Sequence, residues 1–270
     1  MPIHPTALVH PNARLGRDVT IGPQAIIEEH VEIGDGCVIG PRASVLAYTT
    51  LGPGCRLHTG AVLGDIPQDL GFKGERSYLR VGAGCIFREY VTVHRGTGEE
   101  TETVIGDHCF IMGSVHLAHN VHLGRQVIIA NATLLAGHVE VGDRAFISGA
   151  VVVHQFVRIG RVAMLGGACA VGQDVPPFCT VEPMQGNLLS GLNVVGMKRA
   201  GLTLEQRAEV KEAFRLLYRS DLTVSEAVAR IRERFPEGSP AREMADFVAA
   251  SKRGICKLSR NAESDDSGME

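Results

Sequence analysis

Seven of the eleven histidines fall between His94 and His154: His94, His108, His116, His119, His122, His138 and His154. A neutral imidazole near pH 7 is the natural general base for taking a proton from a hydroxyl. That chemistry is expected where the imidazoles are densest, in His116-Leu117-Ala118-His119-Asn120-Val121-His122 and at His138 beyond it. Three imidazoles so closely spaced also raise metal binding, with zinc the usual borderline metal for histidine. In a chain that turns a corner every few residues, side chains three apart point to different faces, so the three need not converge within one subunit. A site shared across a subunit boundary stays open. His4, His10, His30 and His58 are read as surface residues, and no Cys-x-x-Cys pair occurs, which rules out a zinc ribbon.

The histidines are carried by a hexad array. Stepping by six from Ile3 gives Val9, Leu15, Ile21 and so on to Leu63, then Val81, Phe87 and Val93, then Ile105 to Val171. Of these 26 heads, only Phe87 is not Ile, Leu or Val. Four positions after a head stands a small or β-branched residue, as in Ala7, Val19, Ala25 and Ala43, and neither slot holds a charge. All the histidines avoid both slots. Cys37, Cys55, Cys85, Cys109 and Cys169 occupy the small slot, as compact reduced fillers. A period of six fits neither an amphipathic helix nor an alternating hairpin strand. It fits short strands joined by tight corners, where the Gly that often follows a head tolerates unusual dihedrals. Three strands per coil make a triangular prism of parallel sheet with an aliphatic axis, and the array then gives roughly nine coils. The period does not fix the hand of the winding.

Two polar, Gly-bearing segments, 64–80 and 95–104, interrupt the array and return to the same phase, as loops thrown toward one working surface do. The period ends after Val171 at Gln173-Asp174-Val175-Pro176-Pro177. Capping boxes at Thr203/Gln206 and Thr223/Glu226, and Ser239 before Pro240, predict helices near 203–219, 223–235 and 239–252. The expected division is a β-prism over 1–190, a helical domain over 191–260 and a disordered acidic tail over 261–270.

With 27 Lys+Arg against 30 Asp+Glu, the net charge of -3 gives no ground for general nucleic-acid binding. No apolar run approaches the ~20 residues of a membrane span, so no integral membrane contact is expected. The opening Met1-Pro2-Ile3-His4-Pro5 has no basic stretch before an apolar segment, and the expected location is the cytoplasm.

Several stretches carry a closer likeness: Gln68-Asp69-Leu70 with Lys73-Gly74-Glu75, Val93-His94-Arg95-Gly96-Thr97, His116-Leu117-Ala118-His119-Asn120, Ala136-Gly137-His138, Val153-His154-Gln155-Phe156, Gln173 to Pro177, Gly186-Asn187, and Gly191 to Arg199. Through them nearly the whole chain resembles the UDP-N-acetylglucosamine O-acyltransferases, the hexapeptide-repeat acyltransferases that open lipid A biosynthesis. The resemblance implies a left-handed parallel β-helix followed by a small α-helical domain, against the usual right-handed crossover preference. It implies a homotrimer with active sites between neighbours, no cofactor and no metal. The implied reaction moves a (3R)-3-hydroxyacyl group from acyl carrier protein to the 3-hydroxyl of UDP-N-acetylglucosamine. His119 would be the general base, and the Gly137 N–H would hold the oxyanion. Asp69, Lys73, His94, His116, His138, His154, Gln155, Asn193 and Arg199 match positions that bind substrate or shape the site. Gly167 matches the position where a small residue leaves room for a long acyl chain, about fourteen carbons.

The chain also departs from the family pattern. Asn120 stands where some relatives carry Asp, so it would orient a neutral ring rather than an imidazolium. Gly71 stands where close relatives often have Lys, and Val195 and Ala200 replace polar residues of some members, so a nucleotide contact is expected at Lys73 or absent. Arg207, Lys211, Arg215 and Arg219 recur every four residues as a basic helix face for an acidic carrier protein. The alternative is a zinc hydro-lyase of the carbonic anhydrase type on the same solenoid. A non-enzymatic binding solenoid would need flat outer ladders of repeated Thr, which this sequence lacks.

Overall fold

The computed structural model describes residues 3–259, and the tail expected at 261–270 lies outside the described residues. Among the described residues the chain winds through three parallel sheets in turn. Sheet 1 has nine strands, from Leu8–Val9 to Ala170–Val171; sheet 2 has eight, from Arg14–Leu15 to Arg158–Ile159. Sheet 3 starts at Thr20–Ile21, passes Met164–Leu165 and goes on into three C-terminal strands, for eleven in all. Leu8 pairs with Ile26 and Arg14 with Glu32, so one coil takes three hexads. This is the left-handed parallel β-helix.

From Ile21 onward every head is buried, as are the residues of the small slot, among them Ala25, Val31, Cys37 and Ala43. At the open N-terminal end Ile3 stays 45% exposed, because no coil covers it. The four cysteines at 37, 55, 85 and 109 stack in one column at the corner between sheets 2 and 3. Each thiol donates to the carbonyl of Gly52, Gly82, Gly106 or Gly124 in the next coil, at 3.1–3.2 Å.

The glycines that follow the heads serve a purpose other than the expected one. None of Gly16, Gly34, Gly106 and Gly124 has a positive φ. Coils approach backbone to backbone there: a Cβ on Gly34 would stand 2.7 Å from Pro53 N, and one on Gly106 would stand 2.6 Å from Gly124 C. The left-handed dihedral falls two residues later, often on other residue types, as at Arg42 (φ 55°), Asn120 (56°) and His138 (59°).

Both insertions leave the corner between sheets 1 and 2. Val62 pairs with Thr92 and Thr92 with His116, so these coils are longer by two hexads and by one, and phase is kept. Past Val171 the winding does not stop at the prolines. Ile159 bridges Val175 and Leu165 pairs with Val181, each two residues short of a full coil, so the prism gains a partial turn out of phase with the array.

Cys179–Val181 then pairs antiparallel with Leu188–Leu192, a strand that runs across residues 190 and 191. Among the described residues four helices follow: α1 (Val194–Arg199), α2 (Leu204–Tyr218), α3 (Val224–Arg234) and α4 (Pro240–Ala249). The capping boxes at Thr203 and Thr223 are complete, and Ser239 caps α4. The last three helices pack on one another. Arg161 pairs with Glu243 at 2.6 Å, and Arg158 lies 4.2 Å over the Phe247 ring, which docks α4 on the prism. No helix of the described residues is long and apolar enough to cross a membrane.

Candidate active site

The corner between sheets 1 and 2 gathers most of the candidate residues. After the strand His116–Leu117 the chain turns through Ala118, His119 and Asn120. Gly137 and Gln155 occupy the place of His119 in the next two coils, and His138 and Phe156 that of Asn120. Beside this column, in a cleft of about 360 Å³, stand His94, His116, Gln68 and Leu134. The insertion loops border it from the N-terminal side.

The state of His119 follows from its neighbours. The Thr97 backbone N–H donates to Asn120 Oδ1 at 2.9 Å, which identifies that atom as the amide oxygen. The Asn120 backbone N–H in turn donates to Thr103 Oγ1 at 2.8 Å. Nδ1 of His119 lies 2.9 Å from the same Oδ1, and an oxygen that only accepts requires Nδ1–H as the donor. In the neutral ring Nε2 is therefore the lone-pair nitrogen, the atom a general base needs.

Gly137 lies directly beneath it. A Cβ on residue 137 would stand 2.6 Å from both Cε1 and Nε2 of His119, so only glycine fits under the ring. In the equivalent hexad position, Arg17 and Arg125 give their backbone N–H to the carboxylates of Asp35 and Asp143 one coil on. Among the described residues no acceptor takes the Gly137 N–H. An imidazole lone pair and an unengaged amide donor thus lie side by side, as acyl transfer requires.

Burial biases three surrounding imidazoles toward the neutral form. His94 is buried and donates from Nδ1 to the Ile66 carbonyl; burial pushes its pKa down, and the Ile66 carbonyl and Asp65 push partly back. His116 lies 5.1 Å from His94 ring to ring, hydrogen-bonds Thr92 Oγ1 at 2.8 Å, and is pushed down by burial and then by His94. His138 meets His119 edge-on at 5.3 Å and stacks on Phe156 at 4.8 Å. Burial lowers its pKa most, then His119 and His122, against Asp69. That bias disfavours positive charge next to the His119 ring.

Asp69 is half-buried in the first insertion; it accepts from Gly71 N at 2.8 Å and lies 3.5 Å from Thr97 Oγ1. Lys73 is exposed on the same loop, with its N–H on Glu75. His154 and Gln155 are exposed farther along the column, His154 Nδ1–H donating to the Gln155 carbonyl at 3.0 Å. Three candidates stand elsewhere. Asn193 caps α1 and donates to the Val162 carbonyl at 2.8 Å, on the corner between sheets 2 and 3. Arg199 ends that helix, exposed, next to Ala200, whose carbonyl accepts from Arg144. Gly167 lies on the third corner, against the Gly149 carbonyl. His108 and His122 also face away from the cleft. One chain thus carries the candidates on three separate edges.

Sequence reasoning missed Thr92, Thr103 and the Thr97 N–H. Thr103 leaves only a weak signal, as one of three buried threonines, with Thr49 and Thr133, in a small inward slot held mostly by Ala, Val or Cys. Among the described residues no three His, Cys, Asp or Glu side chains converge as a metal site, since His116, His119 and His122 stand on a sheet, a corner and the next sheet.

A family model described as "Udp N-acetylglucosamine O-acyltransferase; Domain 2" matches residues 174–256, and one described as "Bacterial transferase hexapeptide (six repeats)" matches 30–65 and 102–137. The acyl-(acyl-carrier-protein)–UDP-N-acetylglucosamine O-acyltransferase of Sulfurihydrogenibium sp. (strain YO3AOP1) is 54% identical, over 94% of this chain and 93% of its own. The one from Trichlorobacter lovleyi is 49% identical over 95% and 100%. The solved UDP-N-acetylglucosamine acyltransferase from Bacteroides fragilis 9343 superposes with a TM-score of 0.89 at 36% identity, covering 94% of this chain and 99% of that one. The Arabidopsis enzyme does so at 0.82 and 35%, covering 95% and 100%. None of these relatives is a hydro-lyase, and the zinc alternative finds no support. The chain belongs to the UDP-N-acetylglucosamine O-acyltransferase family.

Proposed function

We propose that this chain transfers a (3R)-3-hydroxyacyl group from the thioester of acyl carrier protein to the 3-hydroxyl of UDP-N-acetylglucosamine, the first step of lipid A biosynthesis. The single observation that carries the mechanism is the pairing of a tautomer-fixed His119 Nε2 with the unengaged Gly137 N–H. Nε2 takes the proton of the sugar hydroxyl as its oxygen attacks the thioester carbonyl. The resulting oxyanion accepts from Gly137 N–H. Collapse expels the carrier thiolate, which recovers the proton from the His119 imidazolium. General-base assistance is worth ~10²–10⁴ in rate and an oxyanion donor ~10²–10³.

His94, His116, His138 and Asp69 would shape and line the sugar site, with Lys73, His154 and Gln155 at its rim. Asn193 and Arg199 sit on a different edge from His119, and Arg offers paired donors suited to a diphosphate. A second copy supplies the missing edge, and closure of that contact around a threefold axis gives the homotrimer. Gly167 would then border the acyl groove. On α2, Arg215 pairs with Glu212, and Glu212 also takes Arg234, so the basic face offered to the carrier protein rests chiefly on Arg207 and Lys211. The reaction is assigned to the cytoplasm, where buried, unpaired cysteines persist.

Mass spectrometry of products from a mixed pool of acyl carrier thioesters, offered UDP-N-acetylglucosamine and its 3-amino counterpart, tests the proposal. The expected product is the 3-O-acyl sugar nucleotide, lost in a folded His119→Ala chain. An N-acyl product alone, or turnover that survives His119→Ala, would overturn it. Light scattering that gives a stable monomer would overturn the shared site.

A further inference from the structure

We infer that Arg95 is a positioning residue for the proposed reaction, a cationic pin that holds the first insertion loop against the prism between the rings of Tyr48 and Phe72; this rests on the acyl-transfer reading above. Arg95 is only 8% exposed, and among the described residues no carboxylate lies within ion-pair reach of it. Its Nε is buried without a partner, and its one side-chain hydrogen bond is Nη1 to the Ala47 carbonyl at 3.4 Å. The guanidinium carbon instead stands 5.3 Å from the centre of the Tyr48 ring and 5.6 Å from that of Phe72. A buried cation without a counter-ion is unfavourable unless something replaces its solvation. Guanidinium is the cation best suited to this place, being weakly hydrated, planar and able to stack on aromatic faces.

The three residues belong to different parts of the site. Tyr48 sits on the rigid corner of the coil before the insertions. Phe72 lies in the first insertion, between Asp69 and Lys73. Arg95 follows His94, and its own N–H donates to the Asp65 carbonyl at 3.0 Å. The base of the loop is tied through Arg76 and Glu100, whereas its tip has little else to hold it: Leu70 is fully exposed and Asp69 reaches Thr97 only at 3.5 Å. The Arg95 stack is therefore the tether that sets where Asp69 and Lys73 stand relative to His119.

The test is steady-state kinetics of the full chain with UDP-N-acetylglucosamine varied at saturating acyl donor. Arg95→Met should raise KM for the sugar nucleotide about tenfold, equivalent to about 1.4 kcal/mol, with kcat within about twofold and its pH profile unmoved. Arg95→Lys should recover part of the loss. Phe72→Leu should raise the same KM, and the double variant should be no worse than Arg95→Met alone. Unchanged KM in folded Arg95→Met, or fully additive effects in the double variant, would overturn the role. If Arg95→Met fails to fold, Phe72→Leu alone decides, by a rise in KM for the sugar nucleotide and none for the acyl donor. Calorimetric binding of UDP-N-acetylglucosamine must show the same weakening without turnover. A wild-type chain that forms no acylated product would therefore overturn the reaction while this comparison still decides Arg95.

Discussion

Replacing Gly137 with alanine puts a methyl group where the His119 imidazole stands. The added carbon would lie 2.6 Å from Nε2 and Cε1, against ~3.5 Å for ordinary contact, so the ring must retreat by about 1 Å. Its movement is restrained on two sides, because Nδ1 is tied to Asn120, which Thr97 and Thr103 hold in turn, and His138 packs on the edge, so it yields toward the open cleft. Retreat stretches the bond that fixes the tautomer and moves the lone pair off the sugar hydroxyl. A misplacement of this size typically costs about 10²-fold. Residue 137 has no positive φ, so alanine suits the backbone and the N–H is kept, which separates displacement of the base from loss of the oxyanion donor. We expect kcat to fall ~10²-fold, KM for both substrates to stay within about twofold, and the melting temperature to hold. Combined with His119→Ala, the change should add little, because both act on one group. Wild-type kcat in Gly137→Ala, or a loss confined to KM, would refute the geometry.

Asn120→Asp keeps the hydrogen bonds but puts a charge beside the base, which favours the imidazolium; the acid limb of kcat/KM should move to higher pH, and an unmoved limb counts against the tautomer lock. Donors of graded length should favour about fourteen carbons, and Gly167→Met should shift the optimum shorter; a preference for ten in the unaltered chain defeats the groove assignment. Burial lowers the pKa values of His94, His116 and His138, so their neutral forms stabilise the fold above the unfolded pKa of ~6.5, and that contribution is lost as pH falls through the lowered folded values. The melting temperature should therefore drop by a few degrees from pH 7.5 to 5.5, and by less in His116→Asn. Raising salt should increase KM for the acyl carrier substrate, and a flat response argues against the α2 face as its dock.

The prism was legible because its axis admits only aliphatic heads and small partners, a constraint repeated in every hexad. Phe87 fits as a larger head without breaking it. The helix starts were legible for a similar reason, since a capping box is local chemistry. What escaped depends on contacts between distant residues. The partial coil at Val175 and Val181 keeps the pairing but loses two residues, so a search by sixes loses it at Pro177. Helix α1 is six residues long, and its cap also reaches the Val162 carbonyl in the prism, which no local pattern announces. Within the site, the His119 and Gly137 roles came from resemblance. The reason for glycine at 137 and the amide lock from Thr97 emerge only when coils stack and an insertion folds over them.

A column of interchangeable rungs poses a threading problem. Nearly every coil offers its neighbour the same aliphatic and small surfaces, so a nascent chain slipped by one whole turn would satisfy most of the interior. Only features that occur once distinguish the frames: the two insertions, Phe87 and the shortened final turn. The loops that border the candidate site therefore also index the winding. A version trimmed to plain hexads would lose its site and, with it, the marks that make one frame better than the rest.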